Sequence, residues 1–265
     1  MALAKASWHV LKADKELALL PIISGIASLI VAASFIVPMF FVGGAGTQTT
    51  DPSNTQIAIV FVMYLVLAYI TIFFNAALVF GANQRLEGGD PTLRSALGGA
   101  LSRAGAILPW ALVSATVSLI LRAIEERVGV IGRIVVGLIG LAWTLVTFLV
   151  VPLIVIEGVG VTDAVKGSAE MFKRTWGENV IANVGFGLIG FLAMLPAFAL
   201  AWFAISVTSG VLFGVAVVWM LLVGIVVATL TGIYQTALYR YARHGSAGAG
   251  FDNAALAGAF RPRHR

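Results

Sequence analysis

Five stretches of the chain carry no Asp, Glu, Lys or Arg: residues 17–50, 52–84, 104–121, 134–156 and 179–239. A spanning helix needs roughly 20 mostly apolar residues to cross a hydrocarbon core about 30 Å thick. Each of the first four stretches suits one span, and the fifth is long enough for two with the small polar turn ISVTSG (Ile205–Gly210) between them. Helices are thereby predicted near 18–43, 57–83, 104–126, 132–156, 180–204 and 212–240. The runs are apolar on all sides, whereas strands of a membrane barrel alternate with a polar lumen face. Composition agrees, because only 11% of the 265 residues are charged, against about 25% in a soluble domain. The expected fold is all-α, a polytopic transmembrane bundle of six helices forming a single membrane domain over 1–265.

The basic residues orient the bundle, since Lys and Arg are retained on the cytoplasmic side. With the amino terminus inside, the inner segments hold Lys5, Lys12, Lys15, Arg85, Arg94, Arg103, Lys166, Lys173 and Arg174, and the carboxyl tail adds Arg240, Arg243, Arg261, Arg263 and Arg265. That is fourteen against three on the other side: Arg122, Arg127 and Arg133. A multi-pass protein of the cell (inner) membrane with both termini cytoplasmic is predicted. The net charge of +5 then faces a leaflet that carries anionic lipid. The expected partners are the bilayer, anionic lipids at the cytoplasmic face, and a second copy or another membrane protein. No basic groove interleaved with aromatics appears, so nucleic acid is not among them. The first apolar stretch exceeds the 7–15 residues of a signal-peptide h-region and is expected to be an uncleaved helix.

Three cytoplasmic segments read as amphipathic helices that run directly into an outgoing span. In VTDAVKGSAEMFKRTW, Val161, Val165, Ala169, Phe172 and Trp176 recur at helical spacing while Asp163, Lys166, Glu170 and Lys173 take another face. In DPTLRSALGGALSR, Asp90 is the expected N-cap, Pro91 suits the first helical position and Leu93, Leu97 and Leu101 share a side. In LAKASWHVLKADKEL, Lys5, His9, Lys12 and Glu16 form the polar stripe and Trp8 suits an interfacial anchor. EGGDPTL from Glu87 and EGVGVTD from Glu157 begin alike, and ALAGAF (Ala255–Phe260) resembles ALGGAL (Ala96–Leu101). These likenesses predict three parallel repeats of one amphipathic helix plus a helical hairpin, over 1–83, 88–156 and 160–243, followed by a tail at 244–265.

The strings ASWHVLKADKELALLPIISGIASLIV, FFNAALV, LEGGDPTL, LRAIEERVG, TFLVVPLIVIEG, FKRTWGEN and the tail YRYARHG…GFD resemble a family of uncharacterised prokaryotic six-helix membrane proteins. The resemblance runs over nearly the whole chain. It implies the fold and the topology and no activity, so no site residue is carried over from it.

The chemistry within the spans is sparse. GFGLIG (Gly185, Gly187, Gly190) matches a dinucleotide fingerprint, but it lies inside an apolar span and not at a strand-to-helix turn, so close helix packing is the expected role. Gly137, Gly140, Gly224 and Ala228 admit the same reading. There is no cysteine, and His9, His244 and His264 lie outside the spans. No Asp lies within a span, so the serine, aspartyl and zinc chemistries of intramembrane hydrolysis each want a required part. The chain is expected not to be an enzyme and to need no cofactor. Coupled carriers commonly hold ionisable groups within their spans, and the interior of the bundle is expected to offer only neutral ones: Asn75, Asn179, Asn183, Thr144, Thr147, Tyr234 and Gln235. Asn75, Asn179, Asn183, Gln235 and Thr144 are the candidate polar lining, with hydrogen bonding between helices as the alternative. Pro152 is expected to kink its helix and free a carbonyl, and Glu157 beyond it to pair with Lys166 or Arg174 at the inner face. Arg122, Glu125, Glu126 and Arg127 read as a solvated helix end. Two functional readings follow: a passive channel-like or lipid-handling membrane protein, and a non-transporting scaffold that docks a partner.

Overall fold

A computed structural model describes residues 2–42, 54–174 and 176–248, with the side chains of 6–38, 55, 57–173 and 190–248. The helices in chain order are α1 (Ala2–Ala13), α2 (Leu19–Val42), α3 (Asn54–Leu86), α4 (Leu93–Ser102), α5 (Ala104–Glu125), α6 (Val130–Val146), α7 (Val150–Pro152), α8 (Val161–Arg174), α9 (Trp176–Ser206) and α10 (Gly210–His244). A 3-10 turn at Lys15–Ala18 joins α1 to α2, and a π turn at Leu153–Glu157 extends α7. Among the described residues there is no strand. Five segments are long and apolar enough to cross a membrane: Lys15–Pro38, Ile57–Leu86, Ala104–Glu125, Val130–Glu157 and Gly210–His244. The chain is an all-helical, multi-pass membrane protein. The apolar stretch Gly190–Ser206 belongs to α9, and the turn expected in ISVTSG falls at 207–209, where Ser209 caps α10 by accepting from the Leu212 amide.

The amphipathic helices form where the sequence places them, with two differences at α4. Its N-cap is Thr92 and not Asp90: Thr92 Oγ1 accepts from the Ser95 amide and Ser95 Oγ accepts from the Thr92 amide, a reciprocal capping box. Glu16 Oε2 accepts from the Leu93 amide at 2.9 Å, a carboxylate at the positive end of the helix. Moreover, α4 packs through its small residues Ala96, Gly99 and Ala100, while Leu101 is 67% exposed. Gly99 lets the Phe80 ring of α3 lie where a Cβ would be 2.3 Å from it. Helix α8 buries Ala164, Ser168, Met171 and Phe172 and exposes Asp163, Lys166, Glu170 and Lys173. On α1, Ser7, Val10 and Leu11 are buried, and Trp8 and Lys12 are exposed with Lys12 Nζ 5.7 Å from the indole centroid.

Helices α3 and α10 pack against each other and form the centre. Against them lie α2, α4, α5 and α7, with α9 paired to α10 and α1 resting on the inner part of α10. The buried core runs through Leu17, Leu20, Ala76–Val79, Val150–Val155, Ala164 and Ile233–Tyr239. All of these lie in the halves of their helices that adjoin α1, α4 and α8, the end called inner here, or next to them. The opposite halves are splayed: Ile131, Ile134 and Leu138 of α6 and Val211, Val218 and Leu222 of α10 are each more than half exposed. Lipid tails are as apolar as these side chains, so no hydrophobic force closes the gaps. Gly190 packs on Val227, where a Cβ would lie 3.1 Å away, as the close-packing reading requires; Gly185 and Gly187 lie outside the described side chains. Gly137 and Gly224 face open space, Ala228 is exposed, and at Gly140 a Cβ would only touch Leu121, so those positions are not helix contacts of that kind.

Helices α3, α7 with its π turn, and α10, the three return helices, end alike. Gly88, Gly158 and Gly245 follow them in the left-handed region, with φ of 88°, 72° and 71°. Glycine adopts that conformation without a Cβ penalty and closes the last helical turn.

Candidate functional site

The fourth span is broken in the middle, and the break explains two polar residues. Proline has no N–H, so Pro152 leaves the Phe148 carbonyl four residues earlier without its helical donor. Between α6 and α7 the helix gives way at 147–149. Gln235 Nε2 of α10 donates to the Phe148 carbonyl, and Ser168 of α8 donates its hydroxyl to the Val146 carbonyl while accepting from the Leu149 amide. Such substitute partners allow a broken helix to persist in a medium without water. The Phe148 ring also tilts against Tyr234 at 6.3 Å. Next to the Leu192 carbonyl that Pro196 leaves without a helical donor, the Ala193 carbonyl receives the Trp219 indole N–H at 3.0 Å and ties α10 to α9.

At the inner ends of the three return helices lies a charged clasp. Arg240 Nη1 of α10 reaches Glu87 Oε1 at 2.9 Å and Asn83 Oδ1 at 2.8 Å, and Asn83 Nδ2 donates to Glu87. One turn on, Arg243 Nε lies 3.1 Å from Glu157 Oε1, which also accepts from the Tyr239 hydroxyl at 2.8 Å. The last return helix therefore holds the carboxylates that close the other two. Arg85 adds a tie to Asp14 at 2.8 Å, between α1 and the first span. Burial holds the Asp14 carboxyl above its ordinary range, against the opposing pull of Arg85.

At the outer end, a cleft of about 660 Å³ separates α5 from α6. Ser118, Leu121, Arg122, Glu125 and Glu126 line one wall, and Arg133, Gly140, Trp143 and Thr144 the other. Arg122 pairs with Glu126 at 3.3 Å and donates to the Tyr64 hydroxyl of α3 at 2.7 Å. Trp143 stacks on Trp110 with centroids 6.0 Å apart, which joins the helices below the cleft.

Among the described residues, Thr144 is thus apart from Gln235 and Asn75. Gln235 is buried and bonded to backbone, and Asn75 is half-buried with its Oδ1 toward Gly232 of α10. Thr144 lies in the outer cleft with its hydroxyl donated to the Gly140 carbonyl. Asn179 and Asn183 are on α9, but their side chains lie outside the described residues, as does that of Arg174. Glu157 is in an ion pair with Arg243 and not with Lys166, which is exposed on α8. Arg243 is carried there by a span that sequence distance hides from Glu157. Asn83, Ser168, Tyr239, Arg240 and Arg243 were not foreseen as site residues. The i,i+4 spacing of Asn83 and Glu87 and the i,i+3 spacing of Arg240 and Arg243 were the available signals.

Among the described residues, no group of three or more His, Asp or Glu is placed to hold a metal ion. No curated protein and no solved structure matches the chain. A family model described as a family of unknown function, DUF6159, matches residues 54–251 and so covers most of the chain, starting after the first span. The chain belongs to that family of unknown function.

Proposed function

We propose that the chain is a passive lipid-handling protein of the cell (inner) membrane, with six spans, both termini cytoplasmic and no catalytic role. The observation that carries this reading is the set of amphipathic helices α1, α4 and α8. Their small or apolar faces are clamped to the spans, and Lys12, Lys15, Arg94, Lys166 and Lys173 stay exposed. Such a surface suits the anionic lipid of an inner leaflet, where each basic residue is worth about 1 kcal/mol. The sixth span is α9, whose 31 residues exceed the length needed. The left-handed glycine after each return helix supports three parallel repeats, related by an axis near the membrane normal.

Among passive activities, lipid handling is favoured over conduction. Gln235 and Asn75 are engaged in helix packing, whereas Thr144 opens on a cleft between lipid-facing helices. The engagement of Gln235 also favours the second reading, a non-transporting scaffold that meets a second copy or another membrane protein. Reconstitution in liposomes with labelled phospholipid separates them. Lipid exchange between leaflets above the protein-free rate, without leakage of ions or small solutes, is the expected result. Absence of lipid exchange would leave the scaffold.

A further inference from the structure

The outer cleft has a charge pattern that the rest of the molecule does not use. Ser118, Leu121, Arg122, Glu125 and Glu126 fall on one face of α5 at i, i+3, i+4, i+7 and i+8. Arg133, Gly140 and Thr144 answer them from α6 at i, i+7 and i+11. The rim holds two guanidinium groups and two carboxylates. Arg122 is anchored by Glu126 and Tyr64, but among the described residues Arg133 and Glu125 have no ion-pair partner. One cation and one anion on facing walls of the cleft are therefore left without an ion-pair partner among the described residues, where an aqueous interface meets lipid.

We propose that this cleft binds the headgroup of a zwitterionic phospholipid that carries a phosphodiester and a terminal primary ammonium. Arg133, beside the anchored Arg122, takes the phosphate through charge-assisted hydrogen bonds. Glu125 takes the ammonium, whose N–H donors a trimethylated amine lacks. A glycerol headgroup shares the phosphate but has no ammonium and would leave Glu125 unpaired, so the rim discriminates by the second, positive charge. The volume of about 660 Å³ lies within the range of about 300–1,000 Å³ common to small-molecule sites. Below the rim the lining stays polar. The Ser118 and Thr144 hydroxyls donate to carbonyls of their own helices and keep lone pairs free to accept. Thr144 lies about 16 Å along α6 from Arg133 at a rise of 1.5 Å per residue, roughly half the depth of the hydrocarbon core. At Gly140 a Cβ would meet Leu121 at an ordinary contact distance of 3.8 Å, so a side chain larger than alanine is needed to fill the passage.

This proposal rests on the lipid-handling reading for the class of ligand, and its test is separate. The purified full chain in detergent is titrated with short-chain phosphatidylethanolamine, phosphatidylcholine and phosphatidylglycerol, with binding followed by calorimetry. Phosphatidylethanolamine is expected to bind about tenfold more tightly than the other two, a difference of about 1.4 kcal/mol. Arg133→Gln and Glu125→Gln, both on exposed side chains, should each remove most of that preference without lowering the melting temperature. Gly140→Leu should block binding by filling the cleft. Equal or tighter binding of phosphatidylglycerol, or a preference untouched by all three variants, would overturn the proposal. Absence of the preference in the unaltered chain with lipid exchange intact condemns the site alone; a preference present without lipid exchange condemns the function reading.

Discussion

Pro152 has no N–H to give the Phe148 carbonyl, and the role of Gln235 follows from that. A glutamine in an apolar span can line a pore or bridge helices, and the residue alone does not choose. The choice is made by a backbone oxygen 87 positions away in sequence. An orphaned buried carbonyl costs about 1–3 kcal/mol, although hydrogen bonds between membrane helices average only about 0.6 kcal/mol. Gln235→Leu is therefore expected to destabilise the protein by about 1 kcal/mol in detergent unfolding. In a Pro152→Ala background the helix can supply its own donor, so the same substitution should cost markedly less. A double-mutant cycle measures the coupling, and strictly additive effects would dismiss the substitute-donor account. Glu157 teaches the same lesson. Its need for a cation at the inner face was legible from its place after an apolar run, but the identity of the cation was not, because Arg243 arrives on a different span.

Helix positions were legible to within a few residues, because charge-free runs and helical periodicity are local properties. The contacts of each helix were less so. On α4, Leu93 and Leu97 pack half-buried against the core and Leu101 is exposed, but the fully buried positions are the small residues Ala96, Gly99 and Ala100, which let the Phe80 ring of α3 approach. Two adjacent glycines test this directly. Gly98 faces open space, so Gly98→Ala should stabilise α4 by up to about 1 kcal/mol through helix propensity. Gly99→Ala would place a Cβ within 2.3–2.5 Å of the Phe80 ring and should cost about 1–3 kcal/mol by overpacking. Melting temperatures that move in opposite directions for the two variants are expected; a common direction would mean that α4 is not docked in this way. The break between α6 and α7 was foreshadowed by Pro152, whereas the entry of Ser168 into it was not, because a serine on an amphipathic helix carries no sign of which carbonyl it will meet.

At the scale of the molecule, the inner half is tied by side chains and the outer half is left to lipid. The ion pairs reflect this difference in their surroundings. Arg240 and Glu87 are 16% and 55% exposed with Asn83 between them, whereas Arg122 and Glu126 are 62% and 68% exposed. A double-mutant cycle on Arg240 and Glu87 should give a coupling of about 1 kcal/mol, and one on Arg122 and Glu126 less than about 0.5 kcal/mol. Equal couplings would remove the contrast between the halves. The sequence by itself determined that the chain is helical, crosses a bilayer several times and sets amphipathic helices before spans, because these depend on the local balance of apolar and charged residues against the solvent. Only the tertiary structure decided which residues meet: that Gln235 serves a broken helix, that Arg240 and Arg243 hold the glutamates of two other return helices, and that a charged cleft opens between α5 and α6. Those pairings depend on helix rotation and crossing within the bundle, where lipid and protein side chains are equally apolar and hydrophobic patterning no longer tells one face from another.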